Sequence, residues 1–148
     1  VRGRGGTPRR GGTVRFSRKA AAMLRLARVS RIATAGVSGT PHLVPVCHAL
    51  VGGKLYLGSG KRGRKVRNVV ANPRLTLTVD EYSEDWAGLR GVMVQGRARL
   101  IERGPGFRRI RRAIYRKYVQ YSTDAALSES DSVIIELTPT HVFTWGLD

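Results

Sequence analysis

Only one cysteine, Cys47, occurs in the 148 residues. A single thiol excludes an intramolecular disulfide and any multi-cysteine zinc or iron–sulfur site. No apolar run approaches the ~20 residues that cross a bilayer. Arg25 and Arg28 interrupt the nearest candidate for a secretory leader. Acids are scarce, 10 Asp and Glu against 27 Lys and Arg, which leaves a net charge of +17. Aromatic residues make up 7%, few for a surface that reads nucleic acid by stacking. These absences lead to the expectation of a soluble, cytoplasmic protein without structural metal.

What is present suits one folded domain. A hydrophobic content of 41% exceeds that of disordered chains. A chain of this length buries roughly 70% of its unfolded surface without a covalent staple. Residues 1–12, rich in Gly and Arg and free of acids, cannot build a core and are expected to form a disordered basic tail. The folded domain is expected to span residues 13–148. The tail reads as a solvated extension with weak affinity for polyanions, or as a dedicated nucleic-acid arm.

The hydrophobic period then organises the chain. Ser17 is a good N-cap, and Ala20, Ala21, Met23, Leu24, Leu26, Ala27 and Val29 form one apolar stripe, predicting a helix over 18–30. Strands are predicted over 31–35, 42–50 and 54–59, the last two joined by a Gly52-Gly53 hairpin. Residues 64–72 suit a short helix stopped by Pro73. Leu75, Leu77 and Val79 alternate with polar residues in a half-buried strand, and 90–101 alternate in another. Between them, Asp80, Glu81, Glu84 and Asp85 form an acidic loop that can pair with arginines or hold a cation. Phe107, Ile110, Ala113, Ile114 and Tyr118 recur at helical spacing, with arginines opposite, and a last strand runs from Val133 toward Trp145. Short turns between early strands point to a mostly antiparallel, mainly β fold of the α+β kind that closes into a barrel.

The densest chemical signal is Gly58-Ser59-Gly60-Lys61-Arg62-Gly63-Arg64-Lys65-Val66-Arg67-Asn68. A strand ends in a hydroxyl residue, a glycine-punctuated loop follows, and a helix opens with cations. Backbone approach, free amides, a hydroxyl and guanidinium groups are what an anion site requires. The spacing is not that of a Walker A loop, and the bland alternative is a solvated basic loop. No catalytic side-chain constellation stands out. His42, His48 and His141 lack partners at metal-ligand spacing, and Cys47 reads as a small core residue. Trp86 and Trp145 can stack on a planar group or seal the core.

Several stretches together resemble the pyridoxamine-5′-phosphate-oxidase-like split barrels. They are Arg31-Ile32-Ala33-Thr34, Gly39-Thr40-Pro41-His42-Leu43-Val44-Pro45-Val46, Leu55-Tyr56-Leu57, Lys65-Val66-Arg67-Asn68 with Asn72-Pro73-Arg74, Val94-Gln95-Gly96-Arg97-Ala98 and the closing Thr138-Pro139-Thr140 to Trp145-Gly146. Asp80-Glu81-Tyr82 with Asp85-Trp86 is similar to a subgroup described as dependent on the deazaflavin coenzyme F420. The resemblance implies a six-stranded split β-barrel with flanking helices, a homodimer, and two flavin-type sites at its interface. It implies that Leu43, Val44, Pro45, Val46, Cys47 and His48 line the ring and ribityl chain. Gly58 and Ser59 would sit beside the ribityl phosphate, Arg64 and Lys65 would bind the phosphate, and Lys61 and Arg67 would be supporting cations. Gly91 stands where the true oxidases carry a ring-contacting glutamine, and the chain ends at Asp148 without their Arg-containing C-terminal motif. The expectation is therefore the F420 or general flavin branch rather than vitamin B6 oxidation.

In this class the cofactor carries the chemistry, so a missing side-chain nucleophile is expected. The leading expectation is an F420-dependent oxidoreductase acting on a small organic acceptor, with an FMN-dependent enzyme or flavin carrier second and heme binding third. From another class, a basic nucleic-acid-binding module fits the charge, although the aliphatic 43–48 strand is a poor base-stacking platform.

Overall fold

The computed structural model describes residues 3–5 and 14–148, with a two-residue strand β1 (Arg4–Gly5) before the first helix. The other residues of the predicted tail lie outside the described residues. In extended backbone, Ser17 accepts the Ala20 amide through its hydroxyl at 3.1 Å and so starts α1 (Arg18–Leu26). That helix buries Ala20, Met23 and Leu24 and stops short of the predicted end, because the backbone turns extended at Ala27.

The chain continues through β2 (Ser30–Ala35), β3 (Pro41–Val46), β4 (Ala49–Val51), β5 (Lys54–Gly60), α2 (Arg64–Ala71) and β6 (Arg74–Glu81). After a 3-10 turn at Trp86–Gly88 come β7 (Arg90–Ile101), α3 (Gly104–Lys117), the short α4 (Tyr121–Asp124) and β8 (Ser132–Trp145). Every ladder is antiparallel. Seven strands follow the order β3-β2-β6-β7-β8-β5-β4, and β1 adds to β8 with Arg4 opposite Thr144 and Gly5 opposite Phe143.

Among the described residues, and apart from the two-residue β1, seven strands replace the six expected, because the single strand predicted over 42–50 is two. Its break falls at Cys47-His48, where His48 is fully buried and its Nε2 lies 2.7 Å from the Leu24 carbonyl. The His48 amide donates to the Tyr118 hydroxyl, which also lies 3.1 Å from the His48 carbonyl and 2.8 Å from that of Arg28. Backbone groups held by a side chain cannot join a ladder. The consequence is topological. β3 and β4 terminate opposite ends of the strand order, yet three Cα steps join Val46 to Ala49, and these span about 11 Å at most. The sheet therefore curls until its edges meet at a seam closed by chain rather than by a ladder.

Inside the curl, Ile32, Leu55, Leu57, Leu75, Leu77, Val92, Val94, Ile135 and Leu137 pack with Leu24 of α1 and with Val66 and Val69 of α2. The opposite parity of β5 and β8 feeds a second cluster, in which Tyr56 and Ile134 meet Phe107, Ile110, Ile114 and Tyr118 of α3. Each fully buried Leu or Ile contributes roughly 1.5–3 kcal/mol. The register shifts between Gln95 and Gly96, where Thr140 is the extra residue of a bulge that bends β8 against β7. Gly96 is required there, since a Cβ would stand 2.1 Å from the Thr138 carbonyl oxygen. Among the described residues, no helix is long and apolar enough to cross a membrane.

Candidate functional site

β5 leaves the barrel through Gly58, Ser59 and Gly60. A Cβ on Gly58 would lie 2.7 Å from a Leu127 methyl, so this backbone runs tightly beneath that side chain. Ser59 is buried, with its hydroxyl donating to the Gly60 carbonyl at 3.1 Å. The turn is closed by the Gly63 amide on the Gly60 carbonyl at 3.0 Å. Lys61 anchors its far side, with its amide on the Asp131 carbonyl and its Nζ 2.8 Å from the Glu129 carbonyl.

α2 then begins without a capping side chain, because Gly63 is its N-cap. The Gly63 carbonyl takes the Val66 and Arg67 amides at 3.1 Å each. The Arg64 and Lys65 amides have no acceptor among the described residues, and the first turn contains no acid. Neither Arg64 nor Lys65 has a carboxylate partner among the described residues. Burial of the half-covered Lys65 ammonium pulls its pKa below the ordinary lysine value. Arg67 turns back to the Arg62 carbonyl at 3.3 Å, which makes it a support for the loop. Free amides, a helix dipole and uncompensated cations form one anion-attracting end.

The helix is fixed beside β2 by Asn68, whose Nδ2 donates to Thr34 Oγ1 at 3.1 Å. Gly36 makes room, since a Cβ there would come within 2.7 Å of Asn68 Oδ1. Thr34 is the ladder partner of His42, so α2 stands close to the start of β3. Among the described residues β3 pairs only with β2, which leaves its other edge of amides and carbonyls without a ladder there. Along it, Leu43 and Pro45 face outward, and Val44 and Val46 pack on the core. Cys47 is half-buried against the α3 cluster. His48 points into the interior. Burial, and then repulsion from Lys117, lower its pKa to about 4 against the opposing effect of the Leu24 carbonyl. The structure thus places Gly58, Ser59, Lys61, Arg64, Lys65 and Arg67 on one loop and helix start. Of the 43–48 strand it brings only Leu43 and Pro45 to the outer surface.

Leu43 borders a groove of about 380 Å³ on the outer face of the sheet, with Arg31 and Ala33 of β2, Thr76 and Thr78 of β6, Met93 of β7, and Phe143 and Trp145 of β8. The acidic loop beside it pairs with arginines, Asp80 with Arg31 at 3.0 Å and Glu81 with Arg90 at 2.6 Å. Asp85 caps the 3-10 turn by accepting the Ala87 amide. Trp86 stays 72% exposed, so it does not seal the core.

The family profile described as pyridoxamine 5′-phosphate oxidase matches residues 16–146. The chain belongs to this family. It is 29% identical over 139 residues to a 5a,11a-dehydrotetracycline/5a,11a-dehydrooxytetracycline reductase of Streptomyces rimosus, covering 90% of this chain and 84% of that protein. A conserved hypothetical protein of Mycobacterium tuberculosis has the same fold, with a TM-score of 0.75 at 21% identity, over 94% of this chain and 89% of that one. An F420 reductase superposes with a TM-score of 0.69 at 22% identity, over 86% and 98% of the two chains.

Within the family frame, the glycine at 91 has a structural counterpart. The Trp145 ring lies over it, so that a Cβ would stand 2.0 Å from the indole, and a glutamine there would displace Trp145. The sequence reading did not single out Thr76, Thr78, Met93 and Phe143 as groove residues. Their parity, opposite to the buried Leu75, Leu77, Val92 and Val94, was the available signal.

Proposed function

We propose that this family member is an F420-dependent oxidoreductase that acts as a homodimer and delivers hydride to a flat, conjugated, largely apolar acceptor. The observation that carries this reading is the start of α2. Its desolvated Lys65, exposed Arg64 and two free amides form a donor set that fits a phosphate and has no anion among the described residues to satisfy it. When bound, a deazaflavin supplies two electrons as hydride. Arg64, Lys65 and the two amides would hold its phosphate, while the free edge of β3 beside Leu43 and Pro45 offers backbone donors and acceptors to a heterocycle. Met93, Phe143 and Trp145 provide an apolar wall for the acceptor. A second copy over this face would exclude water from the reacting atoms.

Support for a reductase comes from the Streptomyces rimosus relative, and support for the deazaflavin from the F420 reductase of like fold. A surface at +17 also favours a cofactor with a long anionic tail over FMN. Fluorescence titration of the apo-protein with F420 and FMN in parallel tests the reading. The expected result is saturable F420 binding, weaker FMN binding, and a loss of roughly 10- to 100-fold in Arg64→Ala with Lys65→Ala, as for one or two charge-assisted contacts. Stronger FMN binding would transfer the site to the FMN branch. Unchanged affinity in a folded double variant would remove the phosphate site from α2.

A further inference from the structure

The outer face of α3 carries a set of exposed cations separate from those at the start of α2. Arg109, Arg112 and Arg116 are exposed on one stripe of this helix, separated by three and four residues, which is about 4.5 and 6 Å along the axis. None of the three has an ion pair or hydrogen bond among the described residues. Of the acids near α3, Glu129 pairs with Arg108 at 3.2 Å and Glu136 with Arg99 and Lys54, while Arg109 shares a surface pocket with Glu102 and Glu136. Glu102 precedes the helix, and Asp124 accepts the Thr123 hydroxyl.

Charge alone would describe a solvated helix. The second observation is an apolar groove of about 600 Å³ beside two of those arginines, lined by Arg112, Tyr115, Arg116 and Val119. Val119 is 77% exposed. The Tyr115 ring is held in place. It stacks on Tyr121 at 6.3 Å and 27°, and its hydroxyl accepts the Leu127 amide at 2.9 Å. A fixed aromatic ring flanked by uncompensated guanidinium groups is the arrangement on which an unstacked base lies while its neighbouring phosphates are neutralised. A duplex offers phosphates but keeps its bases inside, so it would leave this groove unused.

We infer that the α3 face is a binding site for single-stranded nucleic acid, with Arg109, Arg112 and Arg116 on the backbone and Tyr115 under a base. The site does not depend on the redox reading, because it shares no residue with the α2 loop or the sheet groove.

Fluorescence anisotropy of the full chain with a labelled single-stranded oligothymidine, at several salt concentrations, tests it. Replacing the three arginines by glutamine should lower the slope of log K against log salt by about 2, since each phosphate neutralised on a single strand contributes about 0.7. Tyr115→Leu should weaken binding about tenfold without changing that slope, and Tyr115→Phe should retain it. Melting curves check folding, and the exposed arginine variant keeps the test decisive if Tyr115→Leu is unstable. Three results would overturn the inference: an unchanged slope in the arginine variant, equal or tighter binding to duplex or inorganic polyphosphate, or a loss that follows Arg9→Gln with Arg10→Gln in the tail instead of α3.

Discussion

Replacing Glu136 by glutamine isolates the energy of a buried carboxylate network while keeping the side chain's shape. Glu136 on β8 is 5% exposed. Its Oε1 accepts from Lys54 Nζ at 3.3 Å and Arg99 Nε at 3.2 Å, and its Oε2 from the Tyr56 hydroxyl at 3.1 Å and a second Arg99 nitrogen at 3.2 Å. Burial raises its pKa, but the bonds from Arg99 and Tyr56 and the charge of Lys54 outweigh this and leave it below the ordinary glutamate value. The Arg99 side chain is 70% exposed, so its pair is screened and worth about 0–1 kcal/mol. Tyr56 is buried, and its hydroxyl bond to a charged acceptor is worth about 1.5 kcal/mol. Neither cation is stranded on losing the carboxylate, so the cost stays below the 3–5 kcal/mol of a fully buried pair broken on one side. Glu136→Gln should therefore cost about 2 kcal/mol, a fall of about 4–8 °C in Tm. Because the folded pKa is depressed, this stability is present above the unfolded value near ~4.3 and is lost as pH falls through the folded one. Urea unfolding of both proteins at neutral pH and near pH 3 reads the difference. A gap of the same size at both pH values, or none at neutral pH, would refute the reasoning.

Other outcomes can be checked with the same preparations. His48, with a pKa lowered to about 4, is neutral when folded and protonated when unfolded in the window up to about 6.5, so stability should fall with falling pH across it, by up to about 3 kcal/mol. Melting curves of His48→Gln should be flatter there, and an unchanged slope counts against a buried neutral imidazole. Gly91→Ala drives a methyl into the Trp145 ring and should cost about 1–3 kcal/mol by thermal melting; a neutral result would mean that the indole is free to move. Leu43→Glu places a charge on the apolar outer face, where Leu43 is 65% exposed. It should convert the proposed dimer to monomers by light scattering with little change in subunit stability, and a variant that keeps the parent's oligomeric state would count against an interface on this face.

Much of the fold was legible because local signals agreed with tertiary ones. The alternation of Leu75, Leu77 and Val79 set β6, Ser17 set the start of α1, and Pro73 follows the end of α2 closely. The turn and helix start over 60–64 were legible for the same reason, since the glycines there serve local backbone geometry. What failed was the run 42–50. Its apolar residues continue without a turn signal, and the break at Cys47-His48 comes from groups far along the chain, the Leu24 carbonyl and the Tyr118 hydroxyl. The groove was hidden likewise, because its residues come from β2, β3, β6, β7 and β8 and meet only when the sheet curls.

The same break links fold to site. A continuous strand over 42–50 would keep β3 and β4 on one side of the barrel and give β3 two paired edges. The inward turn of His48 instead sends the two strands to opposite ends of the order and leaves the outer edge of β3 without a ladder, close to the cationic start of α2. An unladdered edge strand is an aggregation hazard that proteins cover or cap. Here its exposed Leu43 lies beside the groove of Met93, Phe143 and Trp145, so one covering event satisfies both surfaces. On this reading the buried histidine serves the site from a distance: it opens the edge that a ligand or a second copy then closes. His48→Gln, which can still donate to the Leu24 carbonyl, should keep cofactor affinity. His48→Leu, which cannot, should weaken it together with the melting temperature. Equal cofactor affinity in the two variants would separate the seam from the site.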